Sequence, residues 1–152
     1  MSQNPSFDPA WQAHCEALRI DPATRWQARL QLLADPACLN ASVYRPDEDD
    51  EDAEEFDLGD AWLVIDGPFQ APADWDAVMR DDYFDGADPA DFFAARFEPG
   101  ATPGQRGHFQ ARPGDLLAVT EASGRIQMYY LYEVEEAEDS TRLVLIREES
   151  DF

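Results

Sequence analysis

The fold is decided by residues 116–148, which read LLAVTEASGRIQMYYLYEVEEAEDSTRLVLIRE. Turn-forming residues at 122–124 and 138–140 divide this stretch into three β-strands. In the middle strand, alternate side chains share one face: Ile126, Met128, Tyr130, Tyr132 and Val134. The pattern predicts an antiparallel three-stranded meander at the C-terminus, with this apolar face packed on the core.

The N-terminal residues 1–44 carry helical signals. Asp8-Pro9-Ala10 and Asp21-Pro22-Ala23 each place an N-cap aspartate before a proline at the first helical position. Apolar residues then recur at helical spacing, as Trp11, Cys15 and Leu18 and again as Trp26, Leu30 and Leu33. We therefore expect a hairpin of two helices, followed at Asp35-Pro36-Ala37 by a third short turn or helix.

The middle of the chain mixes strand, helix and loop signals. Residues 61–65 predict a short central strand, and the glycines and prolines of 99–107 indicate a loop. A helix is predicted from Pro72, with an acidic exposed side and a buried side formed by Trp75, Val78, Met79 and Phe84. The cap signal recurs at Asp88-Pro89-Ala90, ahead of Phe92, Phe93 and Phe97.

These elements predict an α+β fold: an N-terminal helical hairpin, an acidic loop and a mainly antiparallel sheet. The length of 152 residues fits a single domain, 1–152. Within it we expect helix over 1–44, the acidic loop over 45–60, and mixed strand and helix over 61–152.

Charge is the outlying property of the composition. The chain has 33 acidic and 11 basic residues, all of the latter arginine, and a formal net charge of −22. Such a field repels nucleic acid and anionic membranes and speeds the encounter with cationic surfaces. A role in solubility and an adaptation to high salt are the alternative explanations.

The acidic residues define two candidate partner-binding surfaces. Ten of the fourteen residues from 47 to 60 are acidic, which predicts a mobile, self-repelling loop, with Phe56 as an aromatic anchor. The second surface is the exposed side of the helix predicted from Pro72. The candidate residues are Asp47, Glu48, Asp49, Asp50, Glu51, Asp52, Glu54, Glu55, Phe56, Asp57 and Asp60 on the first surface, and Asp74, Asp81, Asp82 and Asp85 on the second. Trp62 and Trp75 are nearby aromatic residues, and we expect Trp62 to be in the core.

Catalytic and metal-binding patterns fail specific tests. His14 and Cys15 are adjacent on a predicted helix, so their side chains point about 100° apart and His14 cannot activate Cys15 directly. Cys15 also lies on the apolar side of this helix, as expected of a core residue. The segment 81–86 has the glycine of a calcium loop but lacks its other ligands, and two cysteines and two histidines far apart in sequence do not indicate zinc. We expect no catalytic residues, no metal, no cofactor and no enzyme activity.

The sequence also predicts where in the cell the protein is located. The N-terminal residues lack the charged and apolar regions of a signal peptide, and no apolar run is long enough to span a bilayer. Cys15 and Cys38 are too few for a secreted disulfide scaffold. A cytoplasmic protein with free thiols is expected.

Small size, acidity, an α+β pattern and the lack of a catalytic set resemble the profile of bacterial immunity proteins, which neutralise a cognate toxin. This resemblance implies a protein inhibitor that binds a basic toxin domain through its acidic surfaces. One alternative is a DNA mimic that blocks a nucleic-acid-binding protein, which would need rigidly spaced carboxylates. A second is a small-molecule-binding module, because residues 114–119 (GDLLAV) resemble the strand entry of PUA-like barrel domains.

Overall fold

The computed structural model describes residues 9–50 and 52–148. This part of the chain contains three α-helices, a short 3-10 helix and six β-strands. The helices are α1 (Pro9–Ala17), α2 (Pro22–Ala34) and α3 (Ala77–Phe84), and the 3-10 helix is Pro89–Asp91. The strands are β1 (Leu39–Arg45), β2 (Phe56–Pro68), β3 (Phe92–Pro99), β4 (Leu116–Thr120), β5 (Ile126–Glu136) and β6 (Thr141–Arg147). The α+β fold class with an antiparallel sheet is therefore confirmed.

The six strands close into an antiparallel barrel in the order β1-β2-β3-β6-β5-β4. The predicted C-terminal meander is present, since β5 pairs with β4 on one side and with β6 on the other. The sequence did not predict closure, which comes from the pairing of β1 with β4, for example Ser42 with Ala118. Closure matters because it leaves no exposed sheet edge among these strands.

The barrel is filled by side chains from all six strands. Its fully or nearly fully buried core consists of Ala41, Val43, Ala61, Leu63, Ala95, Phe97, Leu117, Val119, Tyr129, Leu131, Leu143 and Leu145. Three of these inward positions are alanines, which leave room in a narrow barrel for the larger leucines and for Phe97.

The face of β5 predicted to lie on the core is mostly the outer face. Tyr129 and Leu131 point inward, whereas Ile126 is 64% exposed and Tyr130 is 37% exposed. A bulge between Leu131 and Glu133 then changes the alternation, so that Val134 packs against the core. Apolar residues occupy both faces of this strand, so its alternation alone did not identify the inner one.

Two strands lie where helix or loop was predicted. The prediction of helix over 1–44 is wrong for its last residues, because Leu39, Ala41 and Val43 alternate inward along β1. The predicted loop over 45–60 is wrong at both ends, since Arg45 ends β1 and β2 begins at Phe56. The cap signal at Asp88 starts only a single 3-10 turn, which leads directly into β3 with Phe92, Phe93 and Phe97.

The Asp-Pro-Ala segments share a local device but not one structure. The Asp21 carboxylate accepts a hydrogen bond from the Thr24 backbone N–H at 3.1 Å and caps α2. Asp35 and Asp88 accept from the backbone N–H two residues on, at 2.8 and 2.9 Å, and form turns. Asp8, predicted to cap the first helix, lies outside the described residues.

Helix α2 buries a different face from the predicted one. Arg25, Arg29 and Leu32 are its buried residues, while Leu30 is 44% exposed and Leu33 is 37% exposed. The apolar spacing was that of a helix, but the barrel presents a carboxylate to this helix, and the arginines turn toward it.

Helix α3 is shorter than predicted and buries no residue of its own. It begins after the N-cap Asp76, and Val78 and Met79, predicted to be buried, are 67% and 48% exposed. The chain around it is held by rings on the outside of the barrel, which pack mainly edge to face: Phe69, Trp75, Tyr83, Phe84, Phe92 and Tyr132. The Tyr132 hydroxyl also donates to the Tyr83 carbonyl.

In the part of the chain that the structure describes, no helix has the length and hydropathy needed to cross a membrane. Cys15 is buried, Cys38 is partly buried, and both are free thiols.

A substitution at Phe92 tests whether the cluster of aromatic rings holds the α3 segment on the barrel. It is fully buried and its ring lies 4.8 Å from that of Phe84 and 5.3 Å from that of Tyr132, centroid to centroid. Truncation in Phe92→Ala is expected to lower the free energy of unfolding by about 3–4 kcal/mol. Met79→Ala on exposed α3 is the control and should change it by only about 0.5 kcal/mol. Urea denaturation measures both, and equal effects would mean that the rings do not hold this segment.

Candidate functional site

The first predicted surface comprises a hairpin loop at one end of the barrel and the start of β2, which carries Phe56, Asp57 and Asp60. Residues 46–55, here called the acidic loop, connect β1 to β2. Two aspartates order it locally: Asp47 accepts from the Asp49 backbone N–H at 2.9 Å, and Asp50 accepts from the Asp52 N–H at 3.0 Å. These are turns of the kind that aspartate favours, and they hold the carboxylates outward.

Most carboxylates of this surface face solvent. The exposed acidic residues are Glu48, Asp49, Asp50, Asp52, Glu54, Glu55, Asp57 and Asp60, while Asp47 is half-buried and Glu51 lies outside the described residues. Within residues 9–50 and 52–148, no ion pair includes a residue from 47 to 60. The charge of Glu48 contributes to the raised pKa of Arg45, but no arginine among the described residues forms an ion pair with the loop.

A buried ion pair holds the base of the acidic loop. The Arg45 guanidinium donates to both oxygens of Asp115, at 2.8 and 2.9 Å, and Asp115 is 1% exposed. The same carboxylate accepts from the Arg112 backbone N–H at 2.8 Å. These contacts with Asp115 raise the pKa of Arg45. Asp115 belongs to the segment likened to a PUA-like strand entry, and its place here is structural.

Strand β2 carries two exposed aromatic side chains, Phe56 beside the loop and Trp62 farther along the strand. Phe56, the first residue of β2, is 57% exposed, so its ring is accessible to a partner. Trp62 was expected in the core, but it points outward and is 37% exposed. The correction follows from strand alternation, because Ala61 and Leu63 on either side of it face inward.

The second predicted surface is attached to the other end of β2. Asp74, Asp81, Asp82 and Asp85 are all exposed, in and beside α3. The acidic loop precedes β2 and the α3 segment follows it, so thirteen residues of strand, about 40 Å of extended chain, separate the two attachment points. The structure does not bring the two predicted surfaces together.

Sequence reasoning missed a buried polar cluster between α2 and the barrel. Glu98 on β3 is 3% exposed and lies between Arg25 and Arg29, with shortest distances of 3.5 and 3.4 Å from its oxygens to their nitrogens. Arg29 also donates to the carbonyls of Pro99 and Gly100, at 2.8 and 3.1 Å. Burial raises the pKa of Glu98, and the two guanidinium groups oppose that shift. The sequence signal was Arg25, Arg29 and Leu32 at i, i+4 and i+7.

The only two histidines of the sequence meet beside this cluster. The rings of His14 on α1 and His108 lie edge to face, 5.8 Å apart, and line a cavity of about 30 Å³ with Cys15, Arg25 and Glu98. The His108 Nδ1–H donates to the Ala101 carbonyl at 2.9 Å. A cavity of this size holds one or two water molecules.

The chemistry of this cavity is limited by its geometry. Burial raises the pKa of the Cys15 thiol, which opposes formation of the reactive thiolate. Among the described residues, no three histidine, cysteine, aspartate or glutamate side chains are grouped so that they could hold a metal ion.

Compared with models of known protein families, with characterised proteins and with solved structures, the chain matches none of them.

The ion pair between Arg45 and Asp115 at the base of the loop, here called the clamp, is tested by Asp115→Ala. The variant removes the carboxylate that accepts from Arg45 and from the Arg112 N–H, and Arg45 keeps the Gln110 carbonyl as an acceptor. The expected loss is about 3 kcal/mol of unfolding free energy. Asp115→Asn keeps an oxygen acceptor and should lose less. Glu55→Gln, which removes one exposed charge of the same loop, is the control for charge alone. Chemical denaturation monitored by circular dichroism ranks the three, and an Asp115→Ala variant as stable as Glu55→Gln would contradict the clamp.

A pH dependence follows from His14. Burial first, and then His108, lower its pKa from the ordinary 6.5. The unfolded chain therefore binds the proton more tightly, and the free energy of unfolding should fall as the pH drops through 6.5. His14→Gln removes this titration and should flatten stability between about pH 7.5 and 5.5. Thermal melts across this range measure it, and identical slopes for parent and variant would refute the assignment.

Proposed function

We propose that this protein is a cytoplasmic protein inhibitor, an immunity protein of bacterial type, that binds a basic toxin domain through the acidic loop. The observation that carries the proposal is the set of exposed carboxylates on 47–60 without an arginine partner in the described structure, beside the exposed ring of Phe56. The proposal needs no cofactor, metal or catalytic residue.

Charge supplies the attraction. The loop is densely acidic, and the whole chain carries a net charge of −22. Together they attract a cationic surface to the loop from a distance. Like charges held close together on the loop repel one another, and a basic partner would relieve that repulsion. The clamp between Arg45 and Asp115 presents the loop from a fixed base.

Phe56 supplies the contact area that charge lacks. Aromatic residues commonly carry much of the binding energy at the centre of an interface, where they exclude water. Phe56 follows the last loop residue directly, so a partner that contacts the carboxylates also covers the ring.

The α3 surface has the exposed apolar residues Val78 and Met79 but no exposed large aromatic. Because it is attached at the opposite end of β2, a compact partner seated on the acidic loop would leave it free. We propose the loop as the contact and use the α3 carboxylates as the matched control.

The DNA-mimic alternative is less well supported. It requires carboxylates spaced rigidly, for example along a helix, and residues 47–60 form turns and a strand within the described structure. The small-molecule alternative implies a barrel of PUA-like type. This protein does form a closed barrel, but the interior of its barrel is packed with side chains.

The test requires a basic partner protein, which the proposal expects to be encoded beside this gene. A loop variant changes Glu48, Asp49, Asp50 and Asp52 to their amides, which keeps the turns, and the control changes Asp74, Asp81, Asp82 and Asp85 in the same way. The loop variant should bind at least about tenfold more weakly at low salt and show a flatter salt dependence, while the control stays close to the parent. Isothermal titration at two salt concentrations measures this, with protection of cells from the toxin as the second readout.

Phe56→Ala separates contact area from charge. It should weaken binding about tenfold or more at both salt concentrations, because an apolar contact is not screened. Ile126→Ala removes another exposed apolar side chain far from the loop and should have no effect. Unchanged affinity in both the loop variant and Phe56→Ala would show that the acidic loop is not the binding surface.

A further inference from the structure

A second site lies on the outside of the barrel, away from the acidic loop. An open groove crosses β2, β3, β6 and β5, has a volume of about 570 Å³ and is bounded at one end by Phe69 and Gln70. This volume is in the range of pockets that bind small molecules. Its floor is made of small and medium apolar side chains, among them Ala94 and Val144.

Two arginines stand opposite each other on this surface. Arg96 on β3 and Arg142 on β6 are direct register partners. Arg96 donates to Asp66 through Nε and Nη2, and Arg142 donates through Nη2 to Asp139 at 3.3 Å. The Nη1 of Arg96 and the Nε and Nη1 of Arg142 have no hydrogen-bond partner within the described residues. Like charges directly opposite in a sheet repel, so an anionic group between the two would be stabilised.

Two carboxylates line the groove on the neighbouring strand. Glu135 on β5 is the register partner of Arg142, yet no ion pair joins them in the described structure. Glu133 is opposite Val144 and accepts a hydrogen bond from the Tyr83 hydroxyl through Oε2, at 2.5 Å. Its Oε1 and the whole Glu135 carboxylate have no partner among the described residues, so both can accept from a cation.

Spare donors and spare acceptors therefore lie on adjacent strands above an apolar floor. Diagonal neighbours such as Glu133 and Arg142 are about 7–8 Å apart across a sheet. Two extended residues span about 7 Å, so an ammonium and a carboxylate at the ends of a dipeptide match that separation. A net-neutral zwitterion also avoids the repulsion that a chain of charge −22 exerts on a simple anion.

We propose that the groove binds a short zwitterionic peptide of dipeptide length, with its carboxylate on Arg96 and Arg142 and its ammonium on Glu133 and Glu135. Small side chains of the peptide lie over Ala94 and Val144. This binding needs neither the acidic loop nor a protein partner, so it stands or falls independently of the inhibitor function.

Isothermal titration of the full chain with L-alanyl-L-alanine tests the site. N-acetylated and C-amidated dialanine each remove one charge and should bind at least about tenfold more weakly, because each loses a charged hydrogen bond. Free alanine, in which the two charges are closer, should also bind more weakly. Equal affinity for all forms, or no binding of dialanine at millimolar concentration, would overturn the proposal.

Two variants assign the ends of the ligand. Arg142→Gln should lose the discrimination between dialanine and its C-amide, and Glu135→Gln should lose the discrimination between dialanine and its N-acetyl form. Both side chains are exposed, so the fold is expected to survive, and circular dichroism checks this. Arg125→Gln, in the β4–β5 turn outside the groove, is the matched control. If the two groove variants keep the parent's selectivity, the ligand does not lie between these residues.

Discussion

The structure depends on the pairing of β1 with β4. Five register pairs between these strands turn a sheet into a closed barrel and bury the inward side chains of all six strands. The closed barrel also determines where the acidic loop and the α3 segment are attached. The acidic loop leaves one end because β1 and β2 form a hairpin there, and the α3 segment leaves the other end because β2 finishes there.

Helix α2 illustrates how the barrel selects the face of an outer element. Glu98 is on the outer face of β3, since Phe97 before it faces the core. A carboxylate covered by a helix requires cationic partners, because an unpaired buried charge is costly. Arg25 and Arg29 supply them, and Leu30 and Leu33, which follow Arg29 and the buried Leu32, turn toward solvent. The packing of the helices on the barrel also places His14 of α1 against His108.

Charge is distributed so that the arginines serve the fold, and none among the described residues forms an ion pair with the acidic loop. Arg25, Arg29 and Arg45 pair with the buried acids Glu98 and Asp115, where the pairing is needed. Arg96 and Arg142 pair with exposed acids beside the outer groove and keep unused donors. A chain with three times as many acids as bases therefore presents two chemically different surfaces, one uniformly acidic and one of mixed charge.

The α+β class, the two N-terminal helices, the C-terminal meander and the acidic loop could be predicted from the sequence alone, because they follow from local periodicity, turn residues and charge density. The sequence did not determine β1 or β3, whose short alternations followed proline turns that resemble helix starts. Nor did it determine which face of α2 and β5 is buried. Those outcomes depend on what lies opposite each residue, Glu98 beneath the arginines and β4 beside β1, and only the closed barrel brings these partners together.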